Sequence, residues 1–172
     1  MSNWKKISLG EIALITRGAS PRPIHDWMTK DDKEGTPWVK ISDATYSISR
    51  FIQKTKEYIK KDGEKKSVVV EMGDLIVSNS ATPGLPKIMA ISACIHDGWL
   101  LFRKLKGIDR DFLYYSLINE RKRIVSQGSG TIFTNLKTEI LKKYQINLPS
   151  ISEQKKISNF LNLIDDKIDL NE

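Results

Sequence analysis

The chain has 172 residues, 40% of them hydrophobic, and a formal net charge of +7 from 28 Lys and Arg against 21 Asp and Glu. That is enough apolar material for one compact core, which argues against extensive disorder, and the basic balance favours a polyanion as partner. The start, Met1 to Lys6, leads into no apolar h-region, and no stretch approaches the ~20 apolar residues of a membrane span, so neither a signal peptide nor membrane attachment is expected.

Leu9-Gly10-Glu11-Ile12-Ala13-Leu14-Ile15 predicts a short helix closed by Gly18. Ala19 to Pro23 is irregular, because Pro21 and Pro23 remove donors and bias their neighbours to extended backbone. Pro37 to Ile41 predicts a strand, and Lys54 to Lys66 a lysine-rich connection turning at Asp62-Gly63, either solvated or facing a polyanion. Three strands follow, at Asp74–Ser78, Lys87–Ile91 and Trp99–Arg103, the first two separated by the turn-rich Ala81 to Pro86. Between them lies Cys94, the one cysteine. It excludes an internal disulfide framework and a cysteine-rich zinc site, suits a reducing cytoplasm, and has the apolar neighbours of a buried structural thiol.

The second half is helical. Asp109 to Val125 predicts a helix with Phe112, Leu113, Leu117, Ile118 and Ile124 on its apolar side and Asp109 and Asp111 in its first turn. A shorter helix is predicted over 135–143 and a strand over 145–148. Pro149 ends that strand, and Ser150-Ile151-Ser152-Glu153 has the form of a capping box that opens the last helix. Within it Ile157, Leu161, Ile164 and Ile168 recur at spacings of 4, 3 and 4, the seam of a coiled coil or of a helix packed on a core. The fold class expected is α+β: a twisted, mostly antiparallel sheet domain with flanking helices over residues 1–149, then a coiled-coil-type helix over 150–172.

This order of segments resembles the target-recognition domain of type I restriction–modification specificity subunits. The matching pieces are Trp4 with Leu9-Gly10-Glu11-Ile12, Thr16-Arg17-Gly18, Pro37-Trp38-Val39-Lys40-Ile41-Ser42-Asp43, Met72-Gly73-Asp74-Leu75-Ile76-Val77-Ser78, Asp111-Phe112-Leu113-Tyr114-Tyr115 and Gly128-Ser129-Gly130-Thr131. The most specific runs from Ile146-Asn147-Leu148-Pro149-Ser150-Ile151-Ser152-Glu153-Gln154 to Leu163-Ile164-Asp165-Asp166-Lys167-Ile168.

The resemblance implies a non-catalytic module that reads one half of a bipartite target in double-stranded DNA. Its last helix would dock a methyltransferase subunit, and the complex would recruit a restriction subunit. S-adenosylmethionine is expected only in the methyltransferase, so this chain needs no cofactor of its own. A second recognition domain must come from a longer form of the same chain or from a second copy. The alternative is the recognition portion of a fused restriction–methylation enzyme with its catalytic part elsewhere.

No catalytic constellation competes strongly. The glycine-rich cofactor loop and the Pro-Pro-aromatic motif of adenine methyltransferases are missing from the sequence. Glu64-Lys65-Lys66, Glu120-Arg121-Lys122 and Glu153-Gln154-Lys155 touch the E-x-K pattern of nucleases, but chance supplies such triplets in a Glu- and Lys-rich chain. His25 and His96 stand apart, at no metal-ligand spacing. DNA reading needs cations for phosphates and polar side chains for base edges. The candidates are Arg17, Ser20 and Arg22 in one loop, Ser78, Asn79, Ser80 and Thr82 in another, Ser129 and Thr131 in a third, with Lys40, Lys87, Arg103 and Lys104 at strand positions or ends nearby. Turn formation or solvation would explain any one of them alone.

Overall fold

A computed structural model describes residues 4–127 and 135–169. Its first part runs β1 (Lys5–Ser8), α1 (Leu9–Ile12), β2 (Leu14–Arg17), a 3-10 turn (Ile24–Trp27), β3 (Met28–Thr29), β4 (Gly35–Val39), α2 (Ile41–Thr45), β5 (Phe51–Ile52), β6 (Glu57–Lys60), α3 (Lys61–Glu64) and β7 (Val68–Val70). Then come β8 (Leu75–Ser78), β9 (Pro86–Met89), β10 (Ala93–Ile95), β11 (Trp99–Arg103), α4 (Arg110–Gln127), α5 (Thr138–Lys143), β12 (Gln145–Leu148) and α6 (Ile151–Asp169).

The strands form two five-stranded sheets, ordered β3-β6-β4-β10-β7 and β2-β11-β8-β9-β5, and a separate pair β1-β12. Among the described strands only β10–β4 and β5–β9 pair in parallel, so the expectation of a mostly antiparallel α+β fold holds, with two sheets where one was anticipated. Packing explains the division. In β11, Leu100 and Phe102 face a core shared with α1, α4 and α5, while Trp99 and Leu101 face the core between the sheets. β8 does the same, with Leu75 and Val77 on one side and Ile76 on the other. A strand buried on both faces needs a continuous apolar run rather than alternation, which is what Leu75-Ile76-Val77 and Trp99-Leu100-Leu101-Phe102 supply. Trp99 also donates its indole N–H to the Val39 carbonyl, at 3.1 Å, tying β11 to the other sheet.

Several elements differ from expectation. The predicted helix over Leu9–Ile15 is one turn, after which the chain extends as β2. Leu14–Arg17 pairs with Arg103–Leu100, and these long-range ladder bonds override a local helical pattern. The lysine-rich connection folds as β6 and α3. In α4, Ile118 is exposed and Tyr114 is buried in its stead. Cys94 is wholly buried beside Trp38 and Ile59, and burial pushes its thiol up to about 11.

Candidate nucleic-acid interface

Where β2 ends, Gly18 lets the chain press directly onto the turn between β10 and β11. Its N–H donates to the Trp99 carbonyl at 2.9 Å, and a Cβ there would lie 2.1 Å from the His96 carbonyl oxygen, so no other residue fits without moving backbone. This contact delivers the Arg17–Pro23 loop to Asp97. Arg17 Nε donates to the Asp97 carbonyl at 2.7 Å, Ser20 Oγ to the Asp97 carboxylate at 2.9 Å, and Arg22 lies 3.5 Å from the same carboxylate. From the other side, Asn79 Nδ2 donates to the Asp97 carbonyl at 3.0 Å. Ser80 Oγ lies against Gly98, so the 79–82 loop completes the group.

Partial burial acts to raise the Asp97 pKa, but the Ser20 hydrogen bond and the charges of Arg22 and Arg17 outweigh it and hold the carboxyl below its usual value. Both arginine side chains remain more than half exposed, at 52% and 72%. Ion pairs this open contribute about 0–1 kcal/mol, so a phosphate could compete for either guanidinium.

Beside this cluster opens a cleft of about 360 Å³, lined by Ser20, Arg22, Ile24, Trp38, Lys40, Ile41, Ser42 and His96. Lys40 is half exposed and paired with Glu57. Burial lowers the His96 pKa, which keeps the ring neutral near pH 7. Its Nδ1 accepts from the Gly98 N–H at 2.8 Å, so the ring proton sits on Nε2, and that nitrogen is a donor. The sequence pointed to neither His96 nor Asp97. The local signal was Asp97-Gly98, a turn between two apolar strands that go to different sheets, whose loop partners Arg17 and Ser20 lie about eighty residues away.

The structure therefore brings together Arg17, Ser20, Arg22, Lys40 and Ser80 at the surface, with Asn79 buried beneath them, and commits or separates the remaining candidates. Lys87 is 3% exposed, and its ammonium is held by the carbonyls of Ser47 (2.9 Å) and Ser49, so it cannot reach a phosphate. Ser78 is wholly buried, accepting from the Leu85 N–H and donating to the Thr82 carbonyl within its own loop. Asn79 is 3% exposed and holds the Asp97 turn from beneath. Arg103 binds the Asp74 carboxylate through Nε, at 3.1 Å to each oxygen, and the Val69 carbonyl through its terminal nitrogen, so its guanidinium is committed to the fold. Thr82 is half-buried, its carbonyl bound by Ser78 and approached by Arg121. Lys104 is exposed, but just past the far end of β11, which lies about 13 Å along the strand from Trp99. Ser129 and Thr131 lie outside the described residues.

The family described as Type I restriction modification DNA specificity domain matches residues 1–172. The chain belongs to that family. It is 31% identical over 103 residues to a putative type I restriction enzyme MjaX specificity subunit of Methanocaldococcus jannaschii, an alignment covering 59% of this chain and 24% of that one. The HsdS subunit from Thermoanaerobacter tengcongensis superposes with a TM-score of 0.75 at 21% identity, over 97% of this chain and 38% of that one. The type I restriction–modification S subunit from M. genitalium gives 0.70 at 18% identity, over 98% and 40%. A structure from work on complex assembly and conformational transition of the type I R-M system gives 0.78 at 21%, over 97% and 39%. This specificity domain thus spans well under half the length of these relatives.

In the specificity domain the last helix starts as its capping box requires. The Ser150 N–H donates to Glu153 at 3.0 Å, and the Glu153 N–H to Ser150 Oγ at 3.3 Å. The anticipated seam is divided. Ile157 packs partly buried against the core, and Leu161 lies with it beside Phe112 and Tyr115, whereas Ile164 and Ile168 are exposed. Phe160 and Leu163, absent from the predicted seam, are exposed at 64% and 63% and broaden the free apolar stripe. The 4-3-4 pattern registered only one edge of that stripe. Among the described residues no helix is long and apolar enough to cross a membrane.

Proposed function

We propose that this specificity domain reads one half of a bipartite target in double-stranded DNA, with the Arg17–Pro23 loop, the β10–β11 turn and Ser80 facing the duplex. The observation that carries the reading is the convergence of Arg17, Ser20 and Arg22 on Asp97 beside a donor-lined cleft, in a chain of the DNA specificity family. Arg17 and Arg22 would neutralise phosphates, and Lys40, Ser42 and the His96 Nε2–H would present donors to base edges. The chain would do no chemistry and hold no cofactor. A methyltransferase subunit docked on the α6 stripe would carry S-adenosylmethionine, and a restriction subunit would join that complex. A second recognition domain, from a longer chain or a second copy, would read the other half. The buried free thiol of Cys94 suits a cytoplasmic setting.

The test is to co-express the chain with its methyltransferase subunit and map modified sites, then repeat with Arg17→Ala and Arg22→Ala. One motif should be modified by the unsubstituted protein, and each variant should weaken DNA binding and lower the salt slope by about 0.9. Absence of any modified motif, or slopes unchanged in both variants, would overturn the assignment.

A further inference from the structure

The helix α6 packs against α4 through Ile157 and Leu161, and buried polar contacts fasten it in two further, separated regions. The first is Gln154, wholly buried, which accepts from the Asp109 N–H at 2.8 Å and donates to the carbonyls of Pro149 (2.9 Å) and Gly107 (3.2 Å). It joins the start of α6 to the start of α4. The second lies eleven residues on, about 17 Å along the helix axis. There Arg50, 7% exposed, donates to Asp166 at 2.8 Å and stands 3.8 Å from Asp165. The Tyr115 hydroxyl donates to Asp165 at 2.8 Å and lies 3.0 Å from Asn162 Oδ1, while the Asn162 amide donates to Asp111 of α4 at 3.0 Å.

Arg50 is not a flexible surface arginine. Its carbonyl accepts from the Ile88 N–H at 2.9 Å, and its guanidinium lies over the Phe51 ring at 4.7 Å. The residues before it, Ser47 and Ser49, are held by the buried ammonium of Lys87. Lys87 therefore braces the segment that carries Arg50, a role in keeping with its burial. Gln154, Ile157, Leu161 and Asn162 hold α6 to α4 and the turn before it, whereas Arg50 ties the far end of α6 to the segment that leads into β5, a second direction of support. Breaking this second attachment would be costly, because removing one partner would leave a buried charge without compensation.

We propose that Arg50 is a positioning residue that, through Asp165 and Asp166, fixes the direction in which α6 leaves the recognition domain and thereby sets the separation at which the two halves of a target are read. The role rests on the reading that this domain recognises one half-site and that α6 leads towards the element reading the other. Base contacts select the half-site sequence, while the Arg50 attachment selects the spacing.

The experiment uses Arg50→Ala, Arg50→Lys and, from the helix side, Asp165→Ala with Asp166→Ala, which leaves the sheet edge untouched if the first variant folds poorly. Amide hydrogen exchange of residues 159–168 in the whole chain should quicken by about tenfold in Arg50→Ala and in the aspartate pair, with β8 and β11 unchanged. Lysine, a point charge able to meet one carboxylate, should restore part of the protection. In the complex with the methyltransferase, modification of duplexes whose spacer is varied one base pair at a time should be confined to one length for the unsubstituted protein. In the variants it should spread to neighbouring lengths, with affinity for a duplex bearing a single half-site unchanged. Unchanged exchange over 159–168 would overturn the attachment, and quickened exchange with an unaltered spacer profile would overturn the positioning role. If the unsubstituted protein binds no duplex, the recognition reading fails and the spacing role with it, while exchange still reports on the attachment.

Discussion

At the scale of single residues, Asp97 would have two opposed effects on the proposed DNA surface. It holds Arg17 and Arg22 in place, and it puts a negative charge where a phosphate would approach. Substituting Asp97→Ala should therefore raise affinity for unrelated duplexes while narrowing the ratio between target and unrelated DNA, measured by titration of both at several salt concentrations. If neither affinity moves, Asp97 lies off the interface. His96 gives a second expectation, through pH. Burial holds its folded pKa below the ordinary histidine value of 6.5, so around and below that pH the unfolded chain binds the proton more readily than the folded one. The stability due to neutral His96 is thus fully present above pH 6.5 and is lost as the pH falls through 6.5 towards the folded pKa. Denaturant unfolding between pH 7 and 5 should show this loss, and His96→Gln should flatten it. Arg17 and Arg22 could be picked out in the sequence because exposed loop cations are local features. Lys87 misled because its burial is decided by the Ser47–Ser49 segment some forty residues away.

At the scale of elements, long periodic segments were legible and short ones were not. The capping box of α6, the Asp109 start of α4 and the run of β11 all declare themselves locally. The three-residue strands β7 and β10 do not, since Val68-Val69-Val70 and Ala93-Cys94-Ile95 become strands only by pairing with each other and with β4. The seam of α6 shows the same limit, because spacing reports which residues share a side, not which neighbour covers them. This separates two substitutions that look alike in sequence. Phe160→Asp and Ile164→Asp, on the free stripe, should leave thermal stability within about 0.5 kcal/mol and abolish assembly with the methyltransferase subunit. Ile157→Asp, partly buried against the core, should lower stability by several times that amount. Size-exclusion chromatography of the mixed subunits and thermal unfolding of the chain alone would check both. Assembly that survives Phe160→Asp and Ile164→Asp would place the docking surface elsewhere.

At the scale of the whole molecule, the net charge of +7 says that DNA is attracted but not which end meets it. β11 divides the possibilities, because Trp99 adjoins the Asp97 turn while Arg103 leads to Lys104 and Lys106. Both ends carry cations that the sequence alone ranks equally. What distinguishes them is construction. At the first, two guanidiniums, a hydroxyl and a neutral imidazole are positioned by one turn beside a cleft, and the close approach at Gly18 fixes the loop that bears them. At the second, Lys104 and Lys106 border a hollow of about 250 Å³ with Gly10, Glu11, Ala13 and Leu14, without a comparable convergence of donors. Phosphate contacts made by long, solvated lysines supply general attraction, whereas positioned donors supply discrimination. The double variant Arg17→Ala with Arg22→Ala should lower the salt slope on target DNA by about 1.8 and remove most of the preference for the target. Lys104→Ala with Lys106→Ala removes the same net charge and should leave slope and preference nearly unchanged. Equal effects of the two pairs would mean that charge alone governs binding. A larger effect of the Lys104 pair would turn the molecule around on its DNA.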